Sequence, residues 1–199
     1  NFTDNLFLAI CDQEVKEYCE KMDIKYVMTN PDHPSGSDRI GEAVKKLEDN
    51  INFKYVINVQ GDMPFIRENH VNLLKERLVH YKMSTLACPF INLDEAKKNS
   101  KVKVLIDKNN FALDFSRILD NKLKINKNIF HHIGVYGYHK HFLSDFISLS
   151  PTKRELSEKL EQLRIIKTTK IGISIIKEEI LGVDTKEDLD RVNRLIYNE

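Results

Sequence analysis

Strand-like and helix-like runs alternate through the first half of this chain, and that alternation constrains the fold more than any single residue. Leu6–Cys11 reads as a buried strand, and Asp12 is placed to cap a helix with Val15, Tyr18, Cys19 and Met22 on one face. Lys25–Thr29 is a short strand. The polar loop Asn30–Ser37 follows, and Ser37 or Asp38 opens a helix with Ile40, Ala43, Val44 and Leu47 inward. Tyr55–Val59 is a strong β run ending at Gln60-Gly61-Asp62, before a helix with Val71, Leu74, Leu78 and Tyr81 inward and a strand at Ser84–Phe90. Strands spaced by helices predict a mixed, mostly parallel, Rossmann-like α/β sheet with helices on both faces.

The second half changes character. Val102–Ile106 and Phe111–Phe115 flank Asp107-Lys108-Asn109-Asn110 as a β-hairpin, which adds antiparallel pairs. His132–Tyr138 and Ile171–Ile176 are further strands. Arg154–Ile166 has Leu156, Leu160 and Leu163 at helical spacing. Thr185 with Asp188 forms a capping box for a last helix with Leu189, Val192 and Ile196 inward, and Lys122–Asn128 is an exposed loop.

Charge excludes some functions. Lys+Arg and Asp+Glu stand at 31 against 30, a net charge of +1, so the basic excess of a nucleic-acid binder is absent. No apolar run approaches the roughly 18 residues of a membrane span, and no secretory leader is recognised. Cys11, Cys19 and Cys88 are odd in number and lack CxxC spacing, which predicts buried thiols in a reducing, cytoplasmic setting.

Ligands of open α/β sheets bind beyond the carboxyl ends of the strands. Three polar clusters fall there: Asn30–Arg39, Gln60–Pro64 and Gly182–Thr185. Asp62 and Asp184, each near a glycine at a strand end, can share one Mg²⁺, a hard ion that prefers oxygen. Taken singly, each is also an ordinary turn or helix cap. The loop around His33, Pro34, Ser35 and Gly36 suits a nucleobase or phosphate, and Arg39 can pair with a carboxylate. Alternation places His132, Gly134, Tyr136 and Tyr138 on one face as a sugar platform. His139 and His141 form an HxH pair without further metal ligands.

These segments resemble the 3-deoxy-manno-octulosonate (Kdo) cytidylyltransferases. The matching motifs are Met28–Ile40, Val56–Ile66, His132–Tyr138, Lys159–Arg164 and Gly182–Val192, in the family's order. The resemblance implies a nucleotide-diphospho-sugar transferase fold and transfer of CMP from CTP to Kdo with Mg²⁺ and release of pyrophosphate, for lipopolysaccharide biosynthesis. It also implies a homodimer, with about 102–150 as the sugar-side and dimerisation region of one 1–199 domain. By the same resemblance, Asp62 and Asp184 are the catalytic metal ligands. Arg39, Gln60, Arg117, His132, Tyr136, Glu161 and Gln162 surround Kdo, and His33, Pro34, Ser35 and Gly36 lie by the cytosine and ribose. Arg39 and Arg117 are both suited to the sugar carboxylate or nearby phosphate charge.

The chain also departs from the family. Nothing matches the first strand and the phosphate-cradling loop after it, and Leu6–Asp12 already resembles the second strand. This predicts an N-terminally truncated form with weak or absent turnover. Met63 stands where the family usually has Glu, Ile118–Asn121 replaces a proline-containing segment, and Glu179-Ile180-Leu181 is a short approach to Gly182. The alternatives are another acidic sugar, such as a sialic acid or an 8-substituted octulosonate, or a non-catalytic sugar- or nucleotide-binding paralogue.

Overall fold

The computed structural model describes residues 5–119, 128–183 and 185–197. Its elements are β1 (Leu8–Ile10), α1 (Gln13–Lys21), β2 (Tyr26–Met28), α2 (Gly36–Leu47), β3 (Tyr55–Asn58), α3 (Glu68–Leu78), β4 (Met83–Cys88), α4 (Leu93–Lys97), β5 (Lys103–Ile106), β6 (Ala112–Ser116), β7 (Ile129–His139), α5 (Lys140–Ser148), α6 (Lys153–Glu158), a 3₁₀ turn (Glu161–Arg164), β8 (Ile171–Ile175) and α7 (Lys186–Tyr197). They group into two compact units, Asn1–Val56 with His139–Ser150 and Ile57–Tyr138 with Pro151–Glu199.

In the first unit β1 and β2 pair in parallel, Leu8 opposite Tyr26 and Ile10 opposite Met28. Asp12 caps α1 as expected, accepting from the amides of Glu14 at 2.8 Å and Val15 at 3.3 Å. The expected apolar face of α1 is only partly covered: Cys19 is buried, whereas Val15, Tyr18 and Met22 are exposed. Periodicity identifies a face, but burial needs a neighbour to cover it. Helix α2 begins one or two residues earlier than the expected Ser37 or Asp38, because Ser35 takes the cap and accepts from the Asp38 amide at 3.2 Å.

The second unit holds a six-stranded mixed sheet in the order β6-β5-β7-β4-β8, with β3 pairing β7 off that path. Strand β4 runs parallel to β8 and antiparallel to β7, and β5 runs antiparallel to both β6 and β7. The antiparallel share is larger than strand-helix alternation suggests, because the single long strand β7 returns beside both β4 and β5. Every residue of β4 is buried, as befits a strand covered on both faces. Its Ser84 faces Gly137 of β7, where an added Cβ would lie 2.6 Å from Ser84 Oγ. The core includes Leu74 of α3, Leu86 and Cys88 of β4, Ile133 and Val135 of β7, and Ile176 and Ile180.

The hairpin at 107–110 is present. Asp107 Oδ1 accepts from the amides of Asn109 at 2.8 Å and Phe111 at 3.0 Å, and Asn110 takes φ 58°, a conformation asparagine tolerates.

The expected continuous helix at Arg154–Ile166 is broken: α6 stops at Lys159 in the left-handed region, φ 54°, and the 3₁₀ turn follows. The break leaves Leu156 exposed while Leu160 and Leu163 are buried. The capping box of α7 is as expected, with Thr185 Oγ1 donating to Asp188 Oδ2 at 2.9 Å. Val192 is buried but Leu189 and Ile196 are exposed. Cys19 and Cys88 are buried as expected, whereas Cys11 is exposed. Most of the expected loop Lys122–Asn128, part of Ile118–Asn121 and Asp184 lie outside the described residues. Among the described residues, no helix is long and apolar enough to cross a membrane.

Candidate active site

The loop of the first unit is organised by carboxylates at its borders. Glu42, nearly two turns into α2, accepts from the Asn30 amide at 2.9 Å, contacts His33 Nε2, and pairs with Lys46 Nζ at 2.6 Å. Lys46, the Asn30 amide and His33 together hold the Glu42 carboxyl down at about 2. Ser35 is committed to the α2 cap, and Gly36 is the first helical residue. Pro34 is exposed. Arg39 reaches back to the end of β2, donating through Nη1 to Thr29 Oγ1 at 2.7 Å and to the Asn30 carbonyl at 3.3 Å. Thr29 in turn donates to the Ile10 carbonyl at 2.9 Å. The structure thus brings His33, Ser35, Gly36 and Arg39 together around one helix start.

In the second unit, Asp62 sits in a turn closed by the Met63 amide donating to the Gln60 carbonyl at 3.1 Å. Val59, Met63 and Phe65 pack on the apolar core and fix the turn from both sides. Met63, where the family usually has Glu, is therefore a packing residue, and its Sδ and Cε also lie 3.8 Å from the Cβ position of Gly182. The Val183 amide donates to the Asp62 carbonyl at 2.8 Å, so the segment leading into Asp184 is tied to the Asp62 turn. The Asp62 carboxylate on this turn is a hard oxygen donor of the kind a magnesium ion takes, and the second expected ligand, Asp184, lies outside the described residues. Among the described residues, no group of three or more His, Cys, Asp or Glu side chains forms a metal cluster by itself. Gln60 donates to Asn58 Oδ1 at 3.4 Å, while the buried Asn58 Nδ2 has no partner.

Of the residues expected around the sugar, His132, Tyr136 and Gln162 come together through an irregularity in β7. Thr85 pairs with Tyr136, but the next residue, Leu86, pairs with Ile133. Gly134 and Val135 are therefore extra residues of β7, a bulge. The insertion draws the rings of His132 and Tyr136 to 5.5 Å, where four residues of regular strand would span roughly 13 Å. Nothing lies within 4 Å of the Cβ position of Gly134, so the bulge is open there. His132 Nε2 is 3.0 Å from Thr85 Oγ1, and the Phe115 ring meets the imidazole edge-on at 5.0 Å. Burial pushes His132 down to about 3, so it is neutral near pH 7. The Tyr136 hydroxyl donates to Gln162 Oε1 at 3.0 Å, and burial, Tyr138 and Glu161 push the phenol up. Gln162 Nε2 is buried and has no hydrogen-bond partner among the described residues. His131, on the other face, lies 3.3 Å from Glu179, which Lys101 also pairs.

Arg117 is largely spent on structure. Its Nε donates to the Glu158 carbonyl at 2.7 Å and its Nη1 to the Asn99 carbonyl at 3.4 Å, although its charge still reaches Tyr136. Sequence reasoning missed Thr85, Asn58 and the pair that props up the 3₁₀ turn. Arg164 donates to Glu155 through Nη2 at 2.6 Å and Nε at 3.0 Å, both side chains being nearly inaccessible. A threonine in MSTLAC and an asparagine in VINV were the available signals: polar residues inside runs otherwise apolar.

A carboxylate turn beyond a strand end, a capped polar loop and a buried polar cluster on a mixed sheet are the parts of a nucleotidyltransferase. The chain belongs to the cytidylyltransferase family, whose model matches residues 1–175. Within that family it lies among the 3-deoxy-manno-octulosonate cytidylyltransferases. The enzyme of that name from Leptospira interrogans (serogroup Icterohaemorrhagiae, serovar Lai) is 38% identical over 192 residues, 94% of this chain and 76% of the relative. That from Helicobacter acinonychis is 37% identical over 202 residues, 98% of this chain and 83% of the relative. A solved CMP:2-keto-3-deoxy-manno-octonic acid synthetase complexed with CTP is similar at a TM-score of 0.86 and 30% identity, over 96% of this chain and 80% of that one. A 4-diphosphocytidyl-2C-methyl-D-erythritol synthase from Anaerococcus prevotii, at 15% identity and TM-score 0.59, shares the fold.

Proposed function

We propose that this protein transfers CMP from CTP to Kdo and releases pyrophosphate, a step of lipopolysaccharide biosynthesis. The observation that carries the reading is the buried polar cluster of His132, Tyr136 and Gln162, whose unpartnered amide suits a hydroxylated ligand. Relatives that cover nearly all of this chain and are named for this reaction support it.

The anomeric hydroxyl of Kdo attacks the α-phosphorus of CTP, the new P–O bond forms as the bond to the β-phosphate bridge breaks, and pyrophosphate leaves. The hydroxyl proton passes to solvent. Such a step asks for alignment and charge neutralisation more than covalent participation. Asp62 and Asp184 would hold Mg²⁺, which supplies positive charge to the triphosphate. His132, Tyr136, Glu161 and Gln162 hold the sugar hydroxyls, with Gln60 nearer the strand end. Arg39 and Arg117 meet anionic oxygens. The loop at His33–Gly36 takes the nucleoside. We further expect a cytoplasmic homodimer, which sedimentation at graded concentration checks.

Pyrophosphate release with CTP, Mg²⁺ and a panel of sugar acids tests the reading. Kdo should be the preferred acceptor. A sialic acid turned over faster would move the assignment to another sugar, and neither release nor calorimetric binding of Kdo or CTP would overturn it.

A further inference from the structure

We propose that Thr85 is a positioning residue that fixes His132 as the Nε2–H tautomer, so that Nδ1 is held as the hydrogen-bond acceptor for a hydroxyl of the bound sugar acid. The sugar half of this statement rests on the function proposed above; the tautomer half stands on the protein alone.

Thr85 Oγ1 lies 2.7 Å from the Val135 carbonyl, 3.1 Å from the Ile133 carbonyl and 3.0 Å from His132 Nε2. Carbonyl oxygens only accept, and a hydroxyl carries one proton. That proton is committed to the carbonyls, foremost the one at 2.7 Å. The hydroxyl oxygen is then an acceptor towards the imidazole, and Nε2 must be the protonated nitrogen. Thr85 is fully buried in the middle of β4, so bulk water offers no exchange of partners.

Burial separately keeps the ring neutral. A neutral imidazole with Nε2 protonated has Nδ1 as its only acceptor. The same two carbonyls belong to the residues flanking Gly134, so one hydroxyl both pins the bulge and selects the tautomer.

A second polar group is oriented by the same logic. The Tyr136 hydroxyl donates to Gln162 Oε1 at 3.0 Å and thereby points the Gln162 Nε2 donor, buried and unpartnered, elsewhere. His132 Nδ1 and Gln162 Nε2 are therefore one acceptor and one donor of settled sense. Sugar hydroxyls match each of them, because a hydroxyl both donates and accepts. A methyl or hydrogen in its place leaves the Gln162 amide buried and unsatisfied.

The test is two-dimensional long-range ¹H–¹⁵N NMR of the histidine ring nitrogens at pH 7, with His132 assigned from its absence in His132→Gln. The expected spectrum without ligand has Nε2 protonated and Nδ1 bare. Kdo added to saturation should move the Nδ1 resonance. Thr85→Val should mix or invert the tautomers and raise the Kd for Kdo about tenfold, the scale of one lost buried hydrogen bond. Thr85→Ser, which keeps the hydroxyl, should restore both.

A wild-type spectrum with Nδ1 protonated would overturn the proposal and needs no variant to fold. So would a Thr85→Val spectrum still showing pure Nε2–H with unchanged Kd. Calorimetric Kdo binding that leaves Nδ1 unmoved overturns it as well. If wild type shows the expected tautomer but binds no Kdo, the functional reading fails and the tautomer assignment stands on its own spectrum.

Discussion

The two units hold their polar residues in opposite ways. In the first, the loop at 30–39 is tied by short-range bonds: Asp32 to Asn30, Ser35 to Asp38, Arg39 to Thr29. In the second, the contacts join residues distant in sequence, 47 positions apart for Thr85 and His132 and 26 for Tyr136 and Gln162, and they are buried. Partly exposed groups beside water can exchange partners at small cost. Buried groups cannot, so their donor and acceptor senses are set during folding. On the function proposed above, the first unit's loop would admit and release the nucleotide and the second unit's cluster would discriminate among sugars.

The largest expected effect attacks the Asp62 turn. Asp62→Ala should lower turnover by at least about 10²-fold, the scale for removing one preorganised electrostatic partner of a transition state. Its folding stability should stay near that of the wild type. Chelation of Mg²⁺ should likewise stop pyrophosphate release, and Mg²⁺ added back should restore it. Near-normal turnover in Asp62→Ala would remove this residue from the metal site.

Next in size is the prop under the 3₁₀ turn. Glu155→Ala leaves Arg164 charged and buried without its partner, which should cost roughly 3–5 kcal/mol in denaturant unfolding. Arg154→Ala, which removes pairs with Asp114 and Glu158 and a bond to the Phe115 carbonyl at the surface, should cost less, roughly 1–2 kcal/mol. Equal losses would mean that burial does not separate the two pairs. Gln162→Leu should act on folding and binding together. It strips the buried Tyr136 hydroxyl of its acceptor, which should cost roughly 1–3 kcal/mol, and Kdo affinity should fall roughly tenfold or more. Calorimetry and thermal unfolding on the same sample separate these outcomes.

How much of this was legible beforehand follows the same division. The Asp12 cap, the Asp107 turn and the Thr185–Asp188 box were readable, because each bond spans a few residues whose types advertise it. The broken helix after α6 was not. Leu156, Leu160 and Leu163 have helical spacing, but Lys159 takes a left-handed conformation and Leu156 stays in solvent. A continuous helix would set Glu155 and Arg164, nine residues apart, on opposite faces and about 13.5 Å apart along the axis, so their buried pair forms only where the helix breaks. For the same reason His132 and Tyr136 could be assigned to one face, but the bulge that draws their rings together depends on Thr85, a residue on another strand.

Acid should reach the two units differently. His132 is pushed down to about 3 by burial. Below its ordinary value of 6.5 the unfolded chain takes up a proton that the folded chain refuses. Stability therefore falls as the pH drops from about 6.5 towards about 3, and it levels off beneath that. The denaturation midpoint followed across this range should have a shallower slope in His132→Gln; an identical slope would mean that this imidazole is not the group resisting protonation.

The smallest effect belongs to the first unit. Glu42 is held down at about 2 by Lys46, the Asn30 amide and His33, and a lowered carboxyl has the opposite reach. Above its ordinary 4.5 the carboxylate is ionised whether or not the loop is closed, and its contribution is complete. Between 4.5 and about 2 only the open loop takes the proton, so the contribution declines, and beneath about 2 it is gone. Amide exchange at Asn30, whose N–H donates to Glu42 Oε2 at 2.9 Å, reads that window directly. Protection should persist at pH 5, where His132 already weighs on the second unit, and should fade only under about pH 4. In Glu42→Gln it should be weak at every pH. A carboxyl titrating at 4.5 would show that the loop is not latched, and that its residues are as free to exchange partners as any surface turn.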